Sequence, residues 1–141
     1  MYLAAFLLAK GGDKTGGRGA SSGISAKGKP YGSEFRTLLT NGNIKFIRYN
    51  DSTSAKAPME TMARGRVYVT VNSENKPVYI TYFDKENRRR KTIDLLHEHG
   101  GISPHTHEGY IHRENGTHKP TTEEKAMIER VRQIWYNQHG K

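Results

Sequence analysis

The fold is decided by residues 66–96, which read RVYVTVNSENKPVYITYFDKENRRRKTIDLL. Apolar and polar residues alternate in three short runs, at 66–71, at 78–83 and at 90–96. Alternation with a period of two is typical of strands that bury one face. The runs are separated by turn-forming residues at 72–76 and 84–87, which are short enough for hairpins. The stretch therefore predicts an antiparallel β-meander.

Two further elements are predicted on the N-terminal side of the meander. Residues 43–49 (NIKFIRY) are rich in Ile and aromatic residues and predict a strand. Residues 33–43 (SEFRTLLTNGN) predict a short helix that Ser33 caps and Asn41-Gly42 ends. Within it, Phe35, Leu38 and Leu39 would form one apolar face.

The C-terminal part carries the pattern of an amphipathic helix. Thr121 and Glu124 have the spacing of a capping box, just after Pro120. An apolar stripe suited to covering a sheet follows, at Met127, Val131, Ile134 and Trp135. The predicted fold is therefore α+β, with a short N-terminal helix, an antiparallel β-meander sheet, and a C-terminal amphipathic helix packed on one face.

Residues 1–32 differ in composition from the rest of the chain. The apolar segment 1–9 is too short to span a bilayer and lacks the features of a signal peptide, so we expect a packing helix or a junction with a longer parent protein. Residues 10–32 contain eight glycines and predict a flexible linker. The expected division is an N-terminal segment with its linker at 1–32 and the folded domain at 33–141.

Composition narrows the classes of function. Cysteine is absent, which excludes disulfides, thiolate catalysis and cysteine-ligated zinc. The formal net charge is +9, from 23 Lys and Arg against 14 Asp and Glu. A basic domain of this size attracts polyanions, which are nucleic acid, an anionic membrane surface or an acidic protein. We expect Arg88, Arg89 and Arg90 to bind the RNA backbone.

Six of the seven histidines lie between His97 and His118, in HEHGGISPHTHEGYIHRENGTH. Histidine titrates near neutral pH without special tuning, so it serves as acid, base or metal ligand. The two HxH pairs, at His97 and His99 and at His105 and His107, place their side chains on one face if the backbone is extended. This segment is therefore the predicted reactive centre.

Three interpretations of the histidines remain open from the residues alone. In the first, a neutral imidazole deprotonates the ribose 2′-OH, a charged one protonates the leaving oxygen, and a cation stabilises the phosphate, all without metal. In the second, His97, His99, His105 and His107 hold zinc or another divalent ion, with Asp94, Glu98 or Glu108 as a further ligand or base. In the third, the histidines are solvated loop residues of a non-catalytic phage structural or nucleic-acid-binding module.

The run KTIDLLHEHGGISPHTHEGYIH, followed by a TxEE helix that ends in IWYN, resembles C-terminal toxin domains of bacterial polymorphic toxins, including those attached to phage minor-head proteins. The resemblance extends over residues 31–137. Many such domains are ribonucleases of the fold class of barnase, EndoU, the colicin ribonucleases and RelE. The chain departs from the pattern at Leu96, where these domains commonly have an acidic residue, which weakens any role for His97 and His99.

The resemblance implies a ribonuclease toxin that is neutralised by a cognate immunity protein. It further implies secretion or delivery from a bacterium and action in the cytoplasm of a target cell. The expected enzyme is a metal-independent endoribonuclease without a cofactor, monomeric when free and without a membrane span. We expect His105 and His107 to be its acid and base, His112 and Lys91 to stabilise the phosphate, and Tyr110 to stack on a base.

Overall fold

The computed structural model describes residues 33–96, 104–110 and 116–139. The interpretations of 1–9 as a packing helix and of 10–32 as a linker lie outside these residues, as do His97, His99 and His112. Seven strands and one helix follow one another along the described chain: β1 Phe35–Asn41, β2 Ile44–Tyr49, β3 Val67–Val71, β4 Pro77–Phe83, β5 Arg89–Asp94, β6 His105–Glu108, β7 Thr117–His118 and α1 Thr122–His139.

The strands form one sheet in sequence order, from β1 to β7. Neighbouring strands are antiparallel except β2 and β3, which run parallel. A parallel pair requires a long connection that carries the chain back to the same end of the sheet, and residues 50–66 supply it. The predicted meander over 66–96 is confirmed as β3–β5, and the α+β class is confirmed for the described chain.

The helix predicted over 33–43 is wrong, because these residues contribute strand β1 instead. The register of β1 on β2 shifts between Thr37 and Leu39, so that Leu38 is an extra residue in the strand. Such a bulge breaks the alternation of faces, and Leu38 and Leu39 both pack against the core. The helix-like spacing of these apolar residues therefore comes from the bulge and not from a helix. Gly42, with φ of 60°, begins the two-residue hairpin loop between Asn41 and Ile44.

Helix α1 covers one face of the sheet, as predicted. Thr121 and Glu124 form the capping box: the Glu124 amide donates to Thr121 Oγ1 (3.2 Å) and the Thr121 amide donates to Glu124 Oε1 (2.9 Å). Trp135 stacks on Phe46 with ring centroids 5.3 Å apart. The apolar core lies between helix and sheet and consists of Ile44, Phe46, Val67, Val69, Val71, Ile80, Ile93, Leu95, Ile128, Val131 and Trp135.

Candidate active site

The sheet face that α1 does not cover is polar over strands β4 to β7. Successive cross-strand pairs place one row of side chains at Thr81, Thr92, His107 and Thr117, and a second row at Tyr79, Asp94 and His105. Thr81, Asp94 and His105 in these rows are buried. Polar groups are rarely buried without a structural or functional reason. The two rows therefore mark the face of the sheet where reactive side chains are expected.

Strand β6 carries the sequence HTHE and brings two histidines to this face. Alternation along the strand places His105 and His107 together, with Thr106 between them on the opposite, helix-covered face. Only 1% of His105 is exposed, whereas His107 is half-buried. His107 is thus the ring of the pair that a substrate can approach.

The two imidazoles contact each other through like atoms. His105 Nε2 and His107 Nε2 are 2.9 Å apart, and the rings meet edge to face at 86°. A hydrogen bond between two nitrogens requires one donor and one acceptor, so a single proton occupies this contact. Two fully protonated rings would place two N–H groups and two positive charges against each other. The geometry therefore fits one ring with a proton on Nε2 and one ring without a proton on Nε2.

Asp94 and Thr117 flank the pair. The Oδ2 atom of Asp94 lies 3.9 Å from His105 Nε2, while Oδ1 accepts a hydrogen bond from the Leu96 amide (3.0 Å). On the other side, Thr117 Oγ1 lies 2.9 Å from His107 Nδ1. The Asp94 carboxylate thus lies next to His105, and the Thr117 hydroxyl is placed to fix the orientation of the His107 ring.

Lys91 is not brought to the histidines. Its position on β5 faces α1, where its ammonium contacts Glu124 Oε2 at 2.6 Å and lies 4.7 Å from the centre of the Tyr82 ring. Glu124 Oε1 also accepts a hydrogen bond from Thr106 Oγ1 (2.8 Å). Because a sheet separates Lys91 from the pair, its predicted role as a phosphate-stabilising group is replaced by a structural one.

The Glu124 carboxylate is charged although its side chain is buried. Burial alone would raise its pKa, but hydrogen bonds from Lys91, the Thr121 amide and Thr106 outweigh it, and the pKa lies below its ordinary value. Nearby, His118 donates from Nε2 to Glu108 Oε2 at 2.8 Å, and this bond raises the pKa of His118. Both pairs lie on the helix side of the sheet.

The three arginines at 88–90 lie in two different environments. Arg89 is half-buried and donates from Nε and Nη2 to the Tyr110 carbonyl (3.0 and 2.6 Å). Burial lowers the pKa of Arg89. Arg88 and Arg90 are exposed, lying 5.6 Å from the Tyr110 ring centre and 5.9 Å from the Tyr82 ring centre. The role in binding RNA that is predicted for Arg88 and Arg90 stays a prediction, whereas Arg89 holds the chain after β6.

The environment of Tyr110 restricts the stacking role predicted for it. Its hydroxyl donates to Glu60 Oε2 at 2.8 Å, and that bond raises the pKa of Tyr110. The Arg88 guanidinium lies over the ring. A nucleobase that stacks on Tyr110 would therefore either displace Arg88 from the face of the ring or share that face with it.

Sequence reasoning did not select Asp94 and Thr117 for the preferred site. Asp94 is one of the acidic residues that the metal interpretation offers as a further ligand or base, but its pairing with His105 depends on the register of β5 on β6. Thr117 is the cross-strand partner of His107 on β7 and carries no sequence signal. One signal in the sequence could have identified Asp94 as a site residue. It is a carboxylate near the end of the strand that precedes the histidines.

Comparison with protein-family models gave no match, and comparisons with curated proteins and with solved structures gave none either. The toxin-domain resemblance therefore stays a prediction. Within the described residues, no helix has the length and apolar character needed to cross a membrane.

Proposed function

We propose that this domain is an endoribonuclease whose reactive centre is formed by Asp94, His105 and His107. The observation that carries the proposal is the 2.9 Å contact between the two imidazole Nε2 atoms on the polar sheet face. Acid–base cleavage of RNA needs one imidazole with a proton to give and one able to accept a proton. A pair that holds one proton between its rings provides both.

The surroundings of the pair suggest which ring has which role. Asp94 Oδ2 lies 3.9 Å from Nε2 of His105, the inner ring of the pair. We assign the role of base to the half-buried His107, which accepts the proton of the ribose 2′-OH, and the role of acid to His105. The 2′-oxygen attacks phosphorus, the bond to the 5′-oxygen breaks, and the His105 imidazolium returns a proton to the leaving oxygen. Since 2.9 Å leaves no room for a phosphate, the substrate must open the contact between the rings.

The charge of the protein supports RNA as the substrate class. The net charge of +9 favours binding of a polyanion, and the exposed Arg88 adds a cation immediately before β5, the strand next to β6. The histidine-rich motif and its resemblance to toxin domains support the further proposal of a toxin. That proposal includes delivery to the cytoplasm of a target cell and neutralisation by an immunity protein.

The direct test is cleavage of matched RNA and DNA oligonucleotides by the purified chain, each with and without EDTA. We expect cleavage of RNA only, and no cleavage at a position where one ribose is replaced by 2′-deoxyribose. His105→Ala and His107→Ala should each lower the rate by about 10²–10⁴-fold. His118→Ala is the matched control, because it removes a histidine on the opposite face. Binding of RNA without cleavage would contradict the proposal and favour a nucleic-acid-binding module.

The toxin proposal has its own test in living cells. Induced expression in the bacterial cytoplasm should arrest growth and degrade RNA with the natural sequence, but not with His107→Ala. Equal growth of the two strains at equal protein levels would contradict a toxin while leaving the nuclease activity to be judged in vitro.

A metal-dependent nuclease is the second candidate. It is favoured by one specific observation, the convergence of Asp94 and both imidazoles on a common point. The ligand set differs from the predicted one, in which His97 and His99 accompany His105 and His107. RNA cleavage that EDTA abolishes would identify this mechanism.

A further inference from the structure

We infer that Asp94 Oδ2, His105 Nε2 and His107 Nε2 form a binding site for one divalent transition-metal ion of the Zn²⁺ class. Each of the three residues offers one ligand atom within 4.8 Å of the other two; His105 Nε2 lies 3.9 Å from Asp94 Oδ2 and 2.9 Å from His107 Nε2. The inference deepens the second candidate, the metal-dependent nuclease, by naming the ion and its three ligand atoms; with the ion bound, both Nε2 lone pairs are occupied and the two imidazoles cannot act as acid and base. The inference does not rest on that nuclease activity, because metal uptake is measured without RNA.

The donor set matches the preferences of such ions. Imidazole nitrogens suit Zn²⁺, Co²⁺ and Fe²⁺, and two histidines with one carboxylate are typical of catalytic sites that keep a coordination position open. The two Nε2 atoms face each other at 2.9 Å, so a metal held by both rings needs only small movements of the side chains. The ion would take the place of the proton that the rings share.

The neighbours of the ligands have the arrangement expected around a metal. Thr117 Oγ1, 2.9 Å from His107 Nδ1, can accept the proton of that nitrogen, which leaves the Nε2 lone pair for the ion. The Leu96 amide holds Asp94 Oδ1, and Oδ2 is then directed toward His105. Contacts of this kind fix the orientation and tautomer of metal ligands.

The position of the three ligands also suits a reactive metal. His105 and Asp94 are buried and rigidly held by the β5–β6 ladder, while His107 is half-buried at the outer side. A bound ion would thus have protein on one side and an approach for substrate on the other. A divalent ion lowers the pKa of bound water to near 7, which would supply the base for phosphodiester cleavage.

A second cluster on the helix side, Glu108, His118 and Glu124, has similar spacing but different electrostatics. The Lys91 ammonium already lies 2.6 Å from Glu124 Oε2, and Thr106 donates to Oε1. A cation there would compete with a fixed positive charge. We therefore assign the ion to the Asp94, His105 and His107 cluster alone.

The test is uptake of Co²⁺ and Zn²⁺ by the full chain after removal of metals with a chelator. We expect one ion per chain by titration calorimetry, ligand-field absorption from Co²⁺ that Zn²⁺ removes, and a higher Tm with Zn²⁺. Thr117→Val should weaken Zn²⁺ binding by about 10–100-fold, and Asp94→Asn or His107→Ala by more than about 100-fold. His118→Ala is the control and should bind as the natural chain does. Circular dichroism verifies that each variant folds.

The outcomes separate this inference from the proposed nuclease. Absence of metal uptake would overturn the metal site. Uptake that survives both His107→Ala and Asp94→Asn, but is lost in His118→Ala, would also overturn it. RNA cleavage in EDTA by a chain that binds no metal would overturn the inference and leave the nuclease standing. Metal binding without cleavage of any RNA would leave the site standing and overturn the nuclease.

Discussion

Replacement of Glu124 should destabilise the domain far more than its position in the first turn of a helix suggests. Its carboxylate accepts hydrogen bonds from the Thr121 amide, from Thr106 Oγ1 and from Lys91 Nζ. Only 1% of Glu124 is exposed. The residue therefore connects the helix N-terminus to strands β5 and β6 at the same time.

The expected magnitude follows from what Glu124→Ala leaves behind. Loss of the capping box costs about 1 kcal/mol. The buried Thr106 hydroxyl loses its acceptor, at a cost of about 1–3 kcal/mol, and Lys91 keeps a charge that is 15% exposed and no longer paired. Breaking a buried ion pair costs about 3–5 kcal/mol in total, so we expect a loss of about 4 kcal/mol in the free energy of unfolding. For a domain of this size, that lowers Tm by more than about 15 °C.

Urea unfolding followed by circular dichroism measures the effect. Glu123→Ala is the matched control, because Glu123 is the exposed neighbour in the same turn and should cost less than about 1 kcal/mol. The double variant Lys91→Met, Glu124→Gln should be less destabilised than the sum of its single variants, since no buried charge then lacks a partner. Equal losses for Glu124→Ala and Glu123→Ala would refute the reasoning.

The pH dependence of Glu124→Gln gives an independent check. The pKa of Glu124 is lower in the folded protein than its ordinary value of 4.5. A carboxyl group with a depressed folded pKa contributes stability above its unfolded pKa and loses it as pH falls through the folded pKa. The difference between the natural chain and Glu124→Gln should therefore be constant above pH 4.5 and narrow at more acidic pH. A difference that does not change on acidification would contradict this assignment.

Two further predictions concern the β1–β2 hairpin and the RNA-binding surface. Gly42→Val should cost about 1–2 kcal/mol in urea unfolding, because a β-branched residue is strained at a φ of 60°. Gly42→Asn should cost only a few tenths of 1 kcal/mol, because Asn adopts positive φ more readily than Val and an added Cβ meets nothing within 4 Å. Equal costs for the two variants would contradict backbone strain as the cause. Arg88→Gln and Arg90→Gln should each weaken RNA binding and lower the slope of log K against log salt by up to about 1, without a change in Tm. An unchanged slope in both variants would place the RNA elsewhere.

Much of the fold could be predicted because local pattern and tertiary role agree. The runs at 66–71 and 78–83 alternate strictly and became β3 and β4, and the capping box at Thr121 marks the start of α1. Residues 33–43 gave the wrong element because Leu38 is a bulge. A bulge places two successive residues on the core side, and over seven residues this cannot be distinguished from a helical face.

The candidate site was harder to predict than the fold because it depends on register. The HTH spacing indicates that His105 and His107 share a face, but nothing local pairs His105 with Asp94 or His107 with Thr117. A shift of one residue would place each side chain on the opposite face. Lys91 differs, because alternation along β5 already places it on the face opposite Asp94, three residues later.

The two faces of strands β5 and β6 have different roles. One face contributes to stability, and the other carries the candidate reactive side chains. Lys91 and Thr106 project toward Glu124 and hold the helix, whereas Asp94, His105 and His107 project to the polar face. Because Thr106 lies between the two histidines, docking of the helix also fixes the backbone that positions them. Loss of Glu124 should therefore reduce stability and site function together. Loss of the half-exposed His107 should abolish metal binding and RNA cleavage while the fold retains its stability, which distinguishes a reactive side chain from one that supports the sheet.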